Sequence, residues 1–120
     1  LLASPHNVPT REALEPFVTS LVERAITPRG YVRQLLAILA SGPRHRQLGG
    51  IRQPTLVIHG IDDPLIPKAA AEELARLIPG AELMLMPNMG HDLPDNIWPQ
   101  LLPHIVRHAQ AAGRGLLKAA

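Results

Sequence analysis

The chain has 120 residues, a length that fits one small domain or part of a larger one. It is 46% apolar but only 2% aromatic, so a core has to be assembled from Leu, Ile, Val and Ala, and its net charge of +2 is too small for a basic nucleic-acid-binding stripe. The absence of cysteine excludes disulfides, thiolate metal sites and a cysteine nucleophile, and the longest apolar run, Leu35 to Ala40, falls far short of the ~20 residues that span a bilayer.

These features point to a protein without nucleic-acid or membrane partners, and the lack of cysteine favours a cytoplasmic location. No basic stretch precedes Leu1 and Leu2, as it would in a signal peptide. The first residue is not Met, so the natural N-terminus is expected further upstream.

In chain order, residues 1–50 read as helical and irregular. Thr10 is positioned to cap a helix whose apolar residues Leu14, Phe17, Val18, Leu21, Val22 and Ala25 recur at helical spacing, with Pro16 near its start. A second helix has Thr27 as N-cap, Pro28 at the first helical position, an apolar stripe of Val32, Leu35, Leu36 and Leu39, and Gly42 as a stop. Gly49 and Gly50 then break the chain before an α/β portion over 51–112, with 113–120 as a tail. Thr55 to His59 is a β-branched, nearly all-apolar run ended by Gly60, the pattern of a strand buried on both faces. Residues 68–78 read as a helix stopped by Pro79 and Gly80, Leu83 to Met86 as a second strand, and about 96–111 as a last helix that Pro103 should kink or delay. Strand, helix, strand is a βαβ unit, whose strands run parallel.

Two loops leave the C-terminal ends of these strands, the edge where open parallel sheets gather ligand sites. The first is His59-Gly60-Ile61-Asp62-Asp63-Pro64-Leu65-Ile66-Pro67, and the second is Pro87-Asn88-Met89-Gly90-His91-Asp92-Leu93-Pro94. Neighbouring strands lie about 4.8 Å apart, so an acid past one and a histidine past the next can hydrogen-bond. Asp63 and His91 are the candidates. A carboxylate in such a pair fixes the imidazole tautomer and stabilises the imidazolium, while the histidine serves as general base and then general acid. Pro64 pushes Asp63 toward extended conformations, and Gly90 permits a tight turn before His91. Asp62 and Asp92 read as turn-forming residues, His59 as a satisfied histidine at a strand end, and His104 with His108 as a helical pair that lacks a neighbouring carboxylate to complete a metal site.

"PTLVIHGIDDPLIP" followed by "PNMGHDLP" resembles the last two motifs of α/β-hydrolases, closest to the esterase-like members such as the aclacinomycin methylesterase group. The resemblance is strong over residues 51–108 and weaker over 1–50, which would correspond to a helical cap or linker segment. It implies that the α/β chain is the C-terminal βαβα portion of a hydrolase sheet, two parallel strands with flanking helices. It further implies a Ser–His–Asp mechanism on a carboxylic ester or similar acyl bond of a small molecule, with no cofactor and no metal. Matched residue by residue, the acid is Asp63, third after Gly60, and the base is His91. Haloalkane and carbon–carbon hydrolases share these motifs.

The family's G-x-S-x-G nucleophile elbow and its oxyanion loop are absent. Ser4, Ser20 and Ser41 lack the flanking glycines, and Ala40-Ser41-Gly42 reads as a helix end. The expectation is a partial hydrolase, a fragment inactive by itself. The alternative is a non-catalytic interaction domain, or half of a split assembly. An unpaired apolar edge at residues 55–59 would favour self-association.

Overall fold

The computed structural model describes residues 2–25 and 27–119, and the side chains of these apart from Ala25, Pro28 and 115–119. The chain forms two compact units, Pro9–Arg44 and the remainder, Leu1–Val8 with His45–Ala120.

The first unit holds two helices, α1 (Arg11–Ala25) and α2 (Pro28–Ser41). Thr10 caps α1 as its position suggests: its Oγ1 accepts from the Ala13 N–H at 3.3 Å. Thr27 precedes α2 in extended conformation without a side-chain cap; its backbone carbonyl instead accepts from the Gly30 and Tyr31 N–H groups at 2.8 and 3.3 Å. Phe17, Val22, Leu36 and Leu39, all from the apolar stripes, are exposed.

The second unit is built on a two-stranded parallel sheet of β1 (Leu56–Gly60) and β2 (Glu82–Met86), in register from Leu56 opposite Glu82 to Gly60 opposite Met86. Both strands lie where the β-branched and apolar runs put them. A short α3 (His45–Leu48), which the sequence pattern does not announce, packs on α4 (Lys68–Leu77), and α4 crosses between the strands and packs against both. The sheet has two strands among the described residues, so β1 is half-buried from Leu56 to His59 rather than buried on both faces.

A 3-10 turn (Asp95–Ile97) leads into α5 (Trp98–Ala119). The helix runs through Pro103 and well past residue 111. Proline there forgoes the bond its N–H would have made to the Pro99 carbonyl and crowds that carbonyl with its ring, yet the helix continues past it. The side chains of most of the expected 113–120 tail lie outside the described residues.

The core sits under the second loop. Met86, Met89, Ile97 and Leu101 are buried together, with Ile58, Met84 and Trp98 packed against them. Strand alternation accounts for the set: Ile58 pairs with Met84 and Gly60 with Met86, so these residues share a face. Among the described residues no helix is long and apolar enough to cross a membrane.

Candidate active site

The loop after β1 and the loop after β2 are fastened by backbone. The Ile61 N–H donates to the Met86 carbonyl at 2.9 Å and the Asp62 N–H to the Met89 carbonyl at 3.1 Å. Asn88 turns the second loop with φ 58°, a left-handed conformation that Asn tolerates better than most residues. The two backbones approach so closely at Gly60 that a Cβ would press on the Met89 and Gly90 carbonyls. Gly60→Ala is therefore expected to cost about 1–3 kcal/mol of stability, measured by denaturant unfolding; a stability unchanged from that of the parent would show that the loops can separate freely.

Into this frame the sequence places its acid and its histidine, and the structure brings them together. Asp63 Oδ2 lies 2.8 Å from His91 Nδ1. A carboxylate accepts, so Nδ1 carries the hydrogen. The other ring nitrogen, Nε2, makes no hydrogen bond among the described residues. The Asp63 side chain is 3% exposed and that of His91 42%, so a buried carboxylate holds an accessible ring. The second carboxylate oxygen, Oδ1, accepts from the Leu65 and Ile66 N–H groups at 2.8 and 2.9 Å.

Burial is the largest single influence on the Asp63 carboxyl and pushes its pKa up. The Ile66 N–H, the His91 hydrogen bond, the Leu65 N–H and the charge of His91 together outweigh it, leaving the group below its ordinary value of 3.8. A carboxyl lowered in the folded state contributes stability above the unfolded pKa, and that contribution is lost as pH falls through 3.8 toward the folded value. In a carbon-13 titration the Asp63 carboxyl is expected to have its midpoint below 3.8, with unfolding becoming easier over the same range. A midpoint at or above 3.8 would contradict these contacts.

The neighbouring acids differ from the turn roles expected of them. Asp63, not Asp62, closes the turn of the acid loop. Asp62 Oδ2 instead accepts from Ser4 Oγ at 2.7 Å. Asp92 Oδ1 is buried with no hydrogen-bond partner among the described residues. His108 does meet a carboxylate: its Nδ1 is 3.1 Å from Glu82 Oε1, and Arg107 approaches the same carboxylate at 3.7 Å. Among the described residues no three metal-ligating side chains gather.

The sequence reading missed the opening segment. The His91 N–H donates to the Leu2 carbonyl at 2.7 Å, and Gly90 lies against the backbone of Leu2, Ala3 and Ser4. Ser4 is fully buried, and Asn7 and Asn96 exchange amide hydrogen bonds at 2.8 and 3.2 Å. Two serine hydroxyls are thereby accounted for structurally: Ser4 donates to Asp62, and Ser41 donates to the Ala37 carbonyl at 2.8 Å. An open cavity of about 580 Å³ borders the pair, lined by His59, Asp63, His91, Asp92, Trp98 and Leu101 among others.

Residues 19–96 match the alpha/beta hydrolase fold family. The chain belongs to that family. It is 38% identical over 69 residues to the rhodomycin D methylesterase of Streptomyces peucetius, a stretch covering 58% of the chain and 23% of that protein. Over 56 residues it is 38% identical to the pimeloyl-acyl-carrier-protein methyl ester esterase of Nitrosomonas europaea, covering 47% of the chain and 22% of the relative. A serine hydrolase of Mus musculus is 42% identical over 43 residues, or 36% and 15% of the two chains. The matches thus span less than a quarter of the length of these relatives. They support an esterase-like member of the family.

Proposed function

We propose that Asp63 and His91 are the acid and base of a Ser–His–Asp esterase whose substrate is a carboxylic ester of a small molecule. The observation that carries the reading is the 2.8 Å bond between Asp63 Oδ2 and His91 Nδ1, made by a buried carboxylate to a ring whose Nε2 has no hydrogen-bond partner among the described residues. Two of the matched relatives are named as methyl ester esterases, which favours a methyl ester as the bond cleaved.

In this reading a serine hydroxyl adds to the ester carbonyl while His91 Nε2 takes its proton. The imidazolium, steadied by Asp63, then protonates the departing alkoxide, leaving an acyl-serine. Water repeats the sequence and releases the acid and the serine. The serine has to come from a G-x-S-x-G elbow, which these 120 residues do not contain. By themselves they are expected to turn over no ester.

The test uses a serine-directed fluorophosphonate and a methyl ester assay on a protein that carries these residues together with such an elbow. Labelling and turnover are expected, and both should collapse in His91→Ala. Labelling that survives His91→Ala would overturn His91 as the base, and no labelling in the parent would instead favour a non-catalytic interaction domain or one half of a split assembly.

A further inference from the structure

Asp63 Oδ2 faces two imidazoles. His91 Nδ1 bonds it at 2.8 Å, while His59 Nε2 stands 3.8 Å away, and the His59 side chain is only 13% exposed. His59 Nε2 is committed elsewhere, 3.0 Å from the Ile66 carbonyl oxygen. A carbonyl only accepts, so Nε2 carries the hydrogen.

We propose that His59 is a positioning residue for the acid: it ties the acid loop to the sheet and so keeps the Asp63 carboxylate turned toward His91. The inference rests on the reading of Asp63 and His91 as a catalytic pair.

Ile66 is held at both ends. Its N–H donates to Asp63 Oδ1 at 2.9 Å, and its carbonyl accepts from His59 at 3.0 Å. The bond to Asp63 is local and moves with the loop, since both partners belong to it. The bond to His59 reaches a residue inside β1, paired in register with Leu85 of β2. It is therefore a link from the loop's far end to the sheet that also carries the His91 loop. Pro67 follows immediately and opens α4, so the bond also fixes where the loop hands over to the helix. With Oδ1 occupied by two N–H groups and the loop pinned, Oδ2 has one orientation, and His91 meets it there. Were the His59 bond lost, the exposed Ile66 would satisfy its carbonyl with water, and the carboxylate could turn with the loop.

The experiment is nitrogen-15 NMR of histidine-labelled protein, which needs no turnover. Wild type is expected to show His59 as the Nε2–H tautomer and a downfield His91 Nδ1 proton protected from exchange. In His59→Leu that proton should exchange about tenfold faster, the scale of losing one net hydrogen bond. His59→Gln, whose amide N–H can reach the same carbonyl, should return exchange to within about twofold of wild type. Unchanged exchange in His59→Leu overturns the proposal, as does a His59→Gln variant that behaves like His59→Leu. Should His59→Leu fail to fold, His59→Gln decides alone: wild-type exchange supports the proposal and fast exchange overturns it. Absence of serine labelling would sink the esterase reading without touching these spectra, so the two failures are distinguishable.

Discussion

Asp63→Asn is expected to lower kcat by about 10³–10⁴-fold in an enzyme that supplies the serine, with little change in fold. The size follows from which hydrogens the new side chain carries. An Asn oxygen in the Oδ1 position still accepts from the Leu65 and Ile66 N–H groups, so the loop keeps its turn. The amide nitrogen then occupies the place of Oδ2 and offers hydrogens where a carboxylate offered lone pairs. His91 Nδ1 has to accept, the proton moves to Nε2, and the ring can no longer take one from a serine. The imidazolium also loses the anion that steadies it. Asp62→Asn is the control. It keeps an acceptor for Ser4 Oγ and leaves His91 untouched, so its effect on kcat should be far smaller. Steady-state kinetics of the two variants decide the matter. If Asp62→Asn were the more damaging, the acid would be Asp62 and the 2.8 Å contact would be incidental.

The residues that made this pair legible in the sequence are mostly not the pair itself. Gly60 ends one short apolar run, and Pro87 and Asn88 end the other, so the strands have clear stops and the loops clear starts. Parallel pairing then puts both loops at one edge, and the observed register leaves Gly60 opposite Met86, immediately before them. What the sequence could not disclose is long-range and aperiodic. Ser4 reaches Asp62 across 58 positions and Asn7 reaches Asn96 across 89, and such contacts leave no spacing to read. The backbone grip of Leu2 on His91 involves no side chain at all. The half-burial of β1 was hidden for a different reason. Composition reports what a strand is suited to face, whereas burial depends on how many neighbours it has, and here β1 has β2 alone among the described residues. His59 looked like a satisfied histidine, and it is one; which carbonyl satisfies it depends on the path of the acid loop.

Met86→Ala is expected to destabilise the α/β unit by about 2–5 kcal/mol, the range for a large apolar side chain removed from a core. Met86 is 2% exposed and belongs to the cluster with Met89, Ile97 and Leu101. The cluster is small, so its neighbours have little chance to close over the space left behind. For a domain of ordinary stability, about 5–15 kcal/mol, a loss at the upper end of that range abolishes most of the folded margin. Each kcal/mol is worth about 4–8 °C in Tm at this size, so thermal unfolding should shift down by about 8–40 °C. Met86→Leu nearly conserves volume and should cost under about 1.5 kcal/mol. The position matters as much as the volume. Met86 is the last residue of β2, its carbonyl accepts the Ile61 N–H, and the loop it begins carries His91 four residues beyond the proline that follows. A protein weakened here should therefore lose the protection of the His91 Nδ1 proton along with its stability. If Met86→Ala lowered Tm while leaving that proton as protected as before, the histidine loop would be held by its backbone bonds to Leu2 and Asp62 alone, and the core beneath it would serve stability without serving the site.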